Sequence, residues 1–365
     1  PVMMLVMNLT SIAVVWFGAR LVDAGTLEIG NMMAFLQYAM QVIISFLMIS
    51  MVFIMVPRAA VSVRRVSEIL NTQPSITDPK QPNHLPADGV GKIEFRDVTF
   101  SYPGADLPVL SGINFTAEPG QTTAFIGSTG SGKSTLINLI PRFYDVSAGQ
   151  ILLDGVDIRN VTLSELTSRI GYVPQKGVLF SGTVVSNISY GNQRASCKEL
   201  EKAAQVAQAA EFINELDSAY DSSIAQGGSN VSGGQRQRLS IARALATQAQ
   251  IYIFDDSFSA LDFKTDAKLR RALAKEMKYK TMLIVAQRIN TIMNADKIIV
   301  LDEGKIVGQG THAELMQSCC VYQEIAASQL SDEELTQLAA NVAMPSSASK
   351  RSATRSVRRQ KGVAR

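Results

Sequence analysis

Two long stretches near the start of the chain are almost entirely apolar. The first, Val2 to Val22, is interrupted only by Asn8, a few hydroxyl residues and Arg20, and the second, Met32 to Val56, carries no charge. A helix rises about 1.5 Å per residue, so either stretch is long enough to cross a hydrocarbon core of roughly 30 Å. The alternative is two helices buried in a large soluble core, but uncharged runs of this length are uncommon outside lipid. We therefore predict two membrane spans, at about 2–22 and 32–56.

The charges that flank these stretches predict their orientation. Arg58, Arg64 and Arg65 follow the second stretch, whereas the connection between the two stretches offers only Asp23 and Glu28. Basic residues are enriched on the cytoplasmic side of membrane proteins, so we place the C-terminal side in the cytoplasm and the short connection outside. A cleavable signal peptide is not expected, because no basic region precedes the first stretch and no small-residue cleavage site is evident. The prediction is a multi-pass protein of the cell membrane.

The composition changes sharply after Pro57. Residues 58–70 continue the helical pattern out of the membrane, and residues 71–91, with prolines at 74, 79, 82 and 86, have the composition of a linker. From Lys92 onward short apolar strands alternate with helical stretches, which is typical of an α/β domain with a largely parallel sheet. We therefore expect the end of a transmembrane domain at 1–58, a helical extension and linker at 59–92, and an α/β domain at 93–330.

The last segment, residues 331–365, is polar and basic. Residues 344–365 contain seven lysines and arginines and no acidic residue. Such a tail is most often solvated and disordered, and contact with anionic headgroups of membrane lipid is the alternative. The whole chain has a net charge of only +3, so its composition gives no separate case for nucleic-acid binding.

The length of the chain limits the number of domains, and its cysteines indicate the redox compartment. The chain has 365 residues, 46% of them hydrophobic, and can form one sizeable globular domain besides the apolar stretches. It begins at Pro1 rather than at methionine, which together with only two spans suggests a fragment. Cys197, Cys319 and Cys320 show no spacing typical of a metal site or a redox pair, so we interpret them as inert thiols in a reducing cytosol.

A phosphate-binding pattern occurs in the segment TAFIGSTGSGKSTLINLI. Thr123 to Ile126 has the composition of a strand, Gly127 to Ser134 matches G-x-x-x-x-G-K-S, and helical spacing follows. Glycines allow backbone N–H groups to curl around a phosphate chain, and the following helix contributes its positive N-terminus. In this arrangement Lys133 would contact the β- and γ-phosphates, and the hydroxyl of Ser134 would bind Mg²⁺.

A second segment, VSGGQRQRLSIARALATQAQIYIFDD, follows about a hundred residues later. Ser232, Gly233 and Gly234 stand where a basic amphipathic helix begins, and they could offer N–H groups and a hydroxyl to an anion. Alone, this pattern is a common helix cap without function. Its occurrence after a P-loop, and before an apolar strand that ends at two aspartates, makes a nucleotide site the better interpretation.

In combination these segments resemble the nucleotide-binding domain of the ATP-binding cassette (ABC) transporters. GSTGSGKS corresponds to the family's Walker A motif, VSGGQ to its signature, IYIFD to Walker B and SALD, residues 259–262, to the D-loop. YVPQ places Gln175 at the Q-loop, and FSYP places Tyr102 where the family stacks an aromatic ring on adenine. The resemblance extends from about Ile93 to Ser328 and implies an α/β P-loop NTPase fold with ATP and Mg²⁺ as cofactors.

The resemblance also implies roles for individual residues. Three residues would act in catalysis: Asp256, Gln287 and Gln175. Three would hold the magnesium ion: Ser134, Gln175 and Asp255. The nucleotide contacts would come from Tyr102, Gly127, Ser128, Thr129, Gly130, Ser131, Gly132, Lys133, Ser134, Thr135, Ser232, Gly233, Gly234, Gln235 and Asp262.

The apolar stretches resemble part of the same family. The segment GARLVDAGTLEIGNMMAFLQYAMQV, followed by RAAVSVRRVSEIL, is similar to the last two of six spans in an exporter half that leads through a linker into the ATPase. The fold class we expect is therefore an ABC ATPase domain preceded by the transmembrane helices of a truncated exporter membrane domain. Without the other spans, this chain alone should not transport anything.

Two positions depart from the family pattern at the catalytic centre. Asp256 stands where the family usually has a catalytic glutamate, and Gln287 stands where it has a switch histidine. Aspartate is one methylene shorter, and a carboxylate displaced by about an ångström from the attacking water can lose roughly a hundredfold in rate. Glutamine can donate a hydrogen bond but cannot become cationic or pass a proton. The loop before the signature also lacks a glutamate that relatives often carry, with Gln226 near its place.

These departures favour one arrangement among three. ABC domains pair head to tail, so that each ATP lies between one domain's Walker motifs and the other domain's signature. We predict an exporter subunit with a degenerate site of its own, whose intact VSGGQ serves the site of a second half-transporter subunit that supplies glutamate and histidine for exporting a substrate. One alternative is a homodimeric exporter in which backbone movement lets Asp256 work, and the other is a regulatory module that binds ATP without hydrolysing it.

Overall fold

The computed structural model describes residues 2–329, so the basic tail predicted at 331–365 lies outside the described residues. The chain divides into two units, with the boundary between Ser75 and Ile76.

The N-terminal unit consists of two long helices, α1 (Val2–Asp23) and α2 (Ile29–Asn71). Over their most apolar 18 residues the mean hydropathy is 1.9 in α1 and 2.5 in α2, high enough for either helix to cross a membrane. Gly18 is the buried residue of α1, beside the side chain of Met32, and α2 has none. Most apolar side chains of the two helices are therefore exposed and not packed in a core formed by this chain.

The second helix extends well beyond its apolar part. It contains 43 residues, includes Pro57 and ends at Asn71, so the predicted helical extension is continuous with the second predicted span. Arg64 pairs with Glu68 one turn later, with 3.1 Å between Nε and Oε1. This exposed pair is typical of a solvated helix surface and contributes little stability.

After Asn71 the predicted linker contains neither helix nor strand, but from Asp78 onward it is hydrogen-bonded to the α/β domain. The backbone N–H of Leu85 donates to Oε1 of Glu165 at 2.8 Å, and the N–H of Gly91 donates to Oδ1 of Asp154 at 3.0 Å. Oδ1 of Asp78 accepts a bond from the backbone of Leu163 at 2.7 Å. Two carboxylates of the α/β domain and one of the linker, Asp78, therefore hold this part of the linker in one place.

The described part of the C-terminal unit contains strands that form three sheets. The strands are β1 (Ile93–Phe100), β2 (Leu110–Ala117), β3 (Thr122–Gly127), β4 (Ala148–Leu153), β5 (Val156–Asp157), β6 (Ile170–Val173), β7 (Gly182–Thr183), β8 (Ser223–Ile224), β9 (Ile251–Asp255), β10 (Thr281–Val285), β11 (Lys297–Asp302) and β12 (Lys305–Gly310). The largest sheet has six strands in the order β12-β11-β3-β10-β9-β6, and all are parallel except β12. A four-stranded antiparallel sheet has the order β2-β1-β4-β5, and β7 pairs with β8.

Helices cover the parallel sheet and connect its strands. They are α3 (Lys133–Asn138), α4 (Leu163–Ser168), α5 (Val184–Ile188), α6 (Cys197–Val206), α7 (Ala210–Asn214), α8 (Gly233–Ala246), α9 (Phe263–Glu276), α10 (Ile289–Ile292), α11 (His312–Ser318) and α12 (Cys320–Gln329). The prediction of an α/β domain with a largely parallel sheet is confirmed, whereas the antiparallel sheet was not predicted.

The buried centre of the parallel sheet determines where its chemistry can lie. All residues of β9 and β10 are buried, as expected for strands covered on both faces. In these pairings Val285 at the end of β10 is opposite Asp255 on β9 and Phe125 on β3. The carboxyl ends of the three strands therefore meet at one edge, which is where ligands bind in open α/β sheets.

Candidate functional site

The P-loop connects β3 to α3 at this edge of the sheet. Gly132 is the N-cap of α3 with φ 97°, in the left-handed region that favours glycine. A Cβ at this position would lie 2.7 Å from Cδ2 of Leu110, so a side chain would also be excluded by packing. This glycine therefore allows the chain to turn from the strand into the helix whose N-terminus faces the site.

Lys133 folds back over the loop from the first turn of α3. Its Nζ donates to the carbonyl oxygens of Gly127 at 2.9 Å and Ser128 at 2.7 Å, and to Oγ of Ser131 at 3.3 Å. Burial lowers the pKa of Lys133, and the nearby Asp256 and Asp255 act in the opposite direction. The ammonium group is thus held at the loop by neutral oxygens, which a phosphate could replace as a stronger, charged partner.

Ser134 and Asp255 form the part of the site suited to a cation. The hydroxyl of Ser134 donates to Oδ1 of Asp255 at 3.0 Å. Burial raises the pKa of Asp255, as does the neighbouring Asp256, while the bond from Ser134 and the charge of Lys133 lower it. Two hard oxygen donors this close together are the ligand type that Mg²⁺ prefers. These residues fit the magnesium ion that the sequence predicts, and a divalent cation would favour the charged form of the buried carboxyl.

Asp256 lies between two amide side chains. Its Oδ2 accepts a bond from Nε2 of Gln287 at 2.9 Å and one from Nε2 of Gln175 at 3.3 Å. Its own backbone N–H donates to the carbonyl of Val285 at 2.9 Å, which ties the end of β9 to β10. The structure therefore brings together all three residues that the sequence predicts as catalytic.

The environment of Asp256 is largely closed. The residue is 8% exposed, and its φ of 45° lies in the left-handed region that aspartate tolerates better than most residues. Burial raises its pKa, opposed by the hydrogen bond from Gln175 and by the charge of Arg288. Ser259, from the predicted D-loop, donates its hydroxyl to the carbonyl of Asp256 at 2.8 Å. The backbone of Asp256 is therefore fixed, and its single methylene limits how far the carboxyl group can extend into the site.

A cavity of about 270 Å³ lies among these residues. Larger hollows of about 380 and 390 Å³ occur elsewhere on the unit, but neither contains the P-loop. Most of the lining was predicted, and Val109 and Val285 are the exceptions, because isolated valines carry no chemical signal in the sequence. The lining residues are Val109, Thr129, Gly130, Gly132, Lys133, Ser134, Thr135, Gln175, Asp255, Asp256, Val285 and Gln287.

Tyr102, predicted to contact adenine, lies beside the helix that follows the P-loop. Its hydroxyl is 3.0 Å from Oγ1 of Thr135. Its ring packs edge to face with Tyr144, with centroids 5.2 Å apart, and with Phe100 at 4.9 Å. The residue is only partly buried, and stacking of its ring on adenine stays a prediction.

The signature residues and Asp262 lie outside this cavity, and the side chains of Ser232, Gln235 and Asp262 cap helices. Ser232 is exposed and forms a capping box with Gln235 at the start of α8: its Oγ accepts from the Gln235 N–H at 3.2 Å, and Oε1 of Gln235 accepts from the Ser232 N–H at 2.9 Å. Asp262 caps α9 by accepting from Thr265 N–H at 3.0 Å. Gln226 is exposed in a short turn before α8. The nucleotide contacts of Ser232, Gly233, Gly234, Gln235 and Asp262 stay predictions.

Comparison with known proteins points to one family. The family profile described as ABC transporter matches residues 110–259. An uncharacterised ABC transporter ATP-binding protein of Mycobacterium tuberculosis is 47% identical over 333 residues, which are 90% of this chain and 57% of that protein. An ATP-dependent lipid A-core flippase of Syntrophus aciditrophicus is 40% identical over 323 residues, covering 88% of this chain and 53% of the flippase.

A solved structure gives the same result. The chain is similar to a bacterial Atm1-family ABC exporter with ATP bound, at a TM-score of 0.77 and 32% identity, covering 91% of this chain and 58% of that one. The chain therefore spans a little more than half the length of the curated relatives and the exporter that it matches.

Proposed function

This chain carries an ABC transporter ATP-binding domain fused to N-terminal helices apolar enough to span a membrane, and on that premise we propose that it is the ATP-binding and permease subunit of an exporter. In the full-length protein, ATP binding at a paired interface would drive movement of a substrate across the membrane. We further propose that the site built on this chain's own Walker motifs retains ATP and hydrolyses it slowly.

The arrangement around Asp256 is the observation that supports a slow site. Hydrolysis requires a carboxylate that holds a water molecule in line with the γ-phosphate. The carboxyl of Asp256 is short, and its Oδ2 is occupied by the amides of Gln287 at 2.9 Å and Gln175 at 3.3 Å. Glutamine is a neutral donor and cannot accept the proton that a base would receive. The carboxyl group of Asp256 is thus better placed to hold the side chains of Gln287 and Gln175 than to activate water.

The remaining residues suit nucleotide binding. Lys133 would exchange its carbonyl partners for the β- and γ-phosphate oxygens, and the N-terminus of α3 would add N–H donors. Ser134 and Asp255 would hold Mg²⁺, with Gln175 completing its surroundings. The ion supplies charge neutralisation between the phosphates when it is bound. The contacts of Lys133, Ser134 and Asp255 do not require a particular length of the side chain at 256, so binding and hydrolysis are separable at this site.

An asymmetric pair follows from the geometry of the family. The signature VSGGQ is present and begins α8 with its glycines accessible, so it can serve the nucleotide of a facing domain. A facing domain with its own glutamate and histidine would then form the hydrolysing site. We therefore propose a heterodimer in which this subunit contributes one retaining site and the signature for an active one.

The test uses the full-length protein isolated from its native membrane through a tag on this chain. The co-purified subunit is identified, and its Walker B glutamate is replaced by glutamine. Single-turnover cleavage of ATP is then measured with enzyme in excess. The proposal predicts a loss of about a hundredfold or more, because only the slow site remains. Robust cleavage by the remaining site would contradict it, as would isolation of a brisk ATPase made only of copies of this chain.

A further inference from the structure

The segment that carries Gln287 is held by a side chain from the last described helix. Nε2 of Gln329 donates to the carbonyl oxygen of Gln287 at 2.8 Å, and its Oε1 accepts from the backbone N–H of Ile289 at 2.9 Å. One carboxamide therefore satisfies a backbone acceptor and a backbone donor on the two sides of Arg288. Such two-point binding fixes both the position and the direction of the chain between β10 and α10.

The helix that presents Gln329 is itself anchored. Tyr322 and Ala326 of α12 are 0% exposed, and the hydroxyl of Tyr322 is 2.7 Å from Nδ1 of His312 in α11. Gln329 is one helical turn beyond Ala326, at the end of α12. The carboxamide is thus attached to a rigid element, although the residue itself is exposed.

A second side chain supports the same segment from another helix. Nη1 of Arg270 in α9 donates to the carbonyl of Asn290 at 3.0 Å, while its Nη2 pairs with Asp266 at 2.9 Å. Ile289, which lies between the residues bound by Gln329 and by Arg270, is fully buried. The backbone from 287 to 290 is therefore fixed by α12 and α9, whereas the side chain of Gln287 is free to extend to Asp256.

We propose that Gln329 is a positioning residue for the nucleotide site: it sets the backbone of Gln287 so that the Gln287 amide meets Oδ2 of Asp256. The side chain of Gln287 is exposed and has several rotatable bonds, so its bond to a buried carboxyl requires a fixed starting point. Ile289 is the first residue of α10, and its N–H has no partner within that helix, so Gln329 also supplies a cap. The inference deepens the proposed function, because it assigns the retaining site a support that lies in α12.

A purely structural cap and a positioning residue differ in what they change. A residue that only caps α10 would affect only the local stability of that helix. A positioning residue would affect nucleotide retention through Gln287, so replacing Gln329 would have no further effect on retention in a variant that already lacks the Gln287 amide. Such non-additivity is the mark of two residues that act through one contact.

The chain offers a matched control on the same helix. Gln323 also uses its Nε2 to bind a backbone carbonyl, that of Met316 in α11, at 2.8 Å. This bond has the same chemistry and lies on the same helix, but it ends outside the segment that carries Gln287. Gln323→Met should therefore reproduce any general effect of losing a carboxamide from α12.

The experiment compares Gln329→Met, Gln287→Ala, their combination and Gln323→Met in the isolated full-length assembly. Amide exchange of the peptide that contains Ile289 is measured without nucleotide, and Gln329→Met should raise its exchange rate roughly fivefold, as expected for the loss of one hydrogen bond. Release of a fluorescent, non-hydrolysable ATP analogue with Mg²⁺ is measured next. We expect Gln329→Met and Gln287→Ala each to speed release by about three- to tenfold, and the double variant to be no faster than the faster single variant.

Three results would overturn the inference: unchanged exchange at Ile289 in Gln329→Met, effects on release that multiply in the double variant, or equal effects of Gln323→Met. Because the analogue is not cleaved, these readouts do not depend on the rate at which the site hydrolyses ATP. Brisk hydrolysis by this site would therefore contradict the proposed function without affecting the role of Gln329. Effects on release that multiply in the double variant would contradict the role of Gln329 without affecting the proposed function.

Discussion

Restoring the residues that the family places at the catalytic centre should convert the retaining site into a hydrolysing one. The perturbation is the double substitution Asp256→Glu with Gln287→His. The added methylene extends the carboxyl group by about 1.5 Å. The imidazole replaces an amide whose Nε2 is 2.9 Å from Oδ2 of Asp256, and it adds a group that can carry charge.

The expected gain can be bounded from the structure. A misplacement of about 1 Å costs roughly a hundredfold in rate, which corresponds to about 2.7 kcal/mol of the barrier. Against this, residue 256 has φ 45°, and a glutamate tolerates the left-handed region less well than aspartate, at a cost of about 1 kcal/mol or more. Backbone relaxation that relieves this strain would displace the new carboxylate. We therefore expect a gain between about tenfold and a hundredfold rather than the full effect.

The assay is single-turnover cleavage of ATP in the full-length assembly whose partner glutamate has been replaced by glutamine, so that only this site can react. Asp256→Asn provides the baseline, and Lys133→Ala in the double variant shows that the gained activity depends on this P-loop. No gain above the Asp256→Asn baseline would refute the view that reach and proton transfer limit the site. A wild-type rate equal to that of the double variant would refute it as well.

Further predictions concern binding and stability. Tyr102→Ala should weaken ATP binding by about 1–3 kcal/mol, because the aromatic ring that would stack on adenine is lost. Tyr102→Phe loses only the contact with Thr135 and should weaken binding by less than about 1 kcal/mol; equilibrium binding of ATP measures both variants. Ser134→Ala should abolish the dependence of ATP affinity on Mg²⁺, and an unchanged magnesium titration would contradict the assignment. Burial raises the pKa of Asp255, so the stability that this group contributes is complete below its unfolded pKa of about 3.9 and is lost as pH rises through the folded value. Asp255→Asn should therefore raise the Tm of the nucleotide-free protein at pH 7 and leave it unchanged near pH 4, in thermal unfolding without Mg²⁺.

Elements with long, regular apolar patterns were predictable from the sequence. The two apolar helices, the continuation of the second to Leu70, and the strands β3 and β9 follow from composition and from the motifs that they carry, and the second helix ends one residue later, at Asn71. The antiparallel sheet was not predicted because its pairing is non-local and irregular: Ile93 of β1 pairs with Leu153 of β4, and the register shifts once, between Arg96 and Thr99. Pattern within one strand gives no information about its partner.

The grouping of the site residues was predictable, whereas the contacts between them were not. Parallel strands place Asp255, Asp256 and Gln287 at one edge whatever the details of packing, so motif order was sufficient. The binding of the linker through Asp78 and the support of the Gln287 segment by Gln329 each depend on one polar side chain that bonds to a distant backbone group. Such residues look like ordinary surface positions in a sequence, because their partners are set only by the tertiary fold.

The most direct test of the retaining site measures whether the ATP bound to this chain still carries its γ-phosphate after several turnovers. Photoreactive ATP fixes the bound nucleotide to the chain, and its α- and γ-phosphate labels are compared. The full-length assembly is incubated with an azido-ATP labelled either on the α- or on the γ-phosphate, allowed several turnovers, and then irradiated. If this site holds its nucleotide uncleaved, the chain will carry equal amounts of α and γ label, and Lys133→Ala will remove both. Retention of α label with loss of γ label would show that the site hydrolyses ATP at the pace of the assembly and would contradict the account.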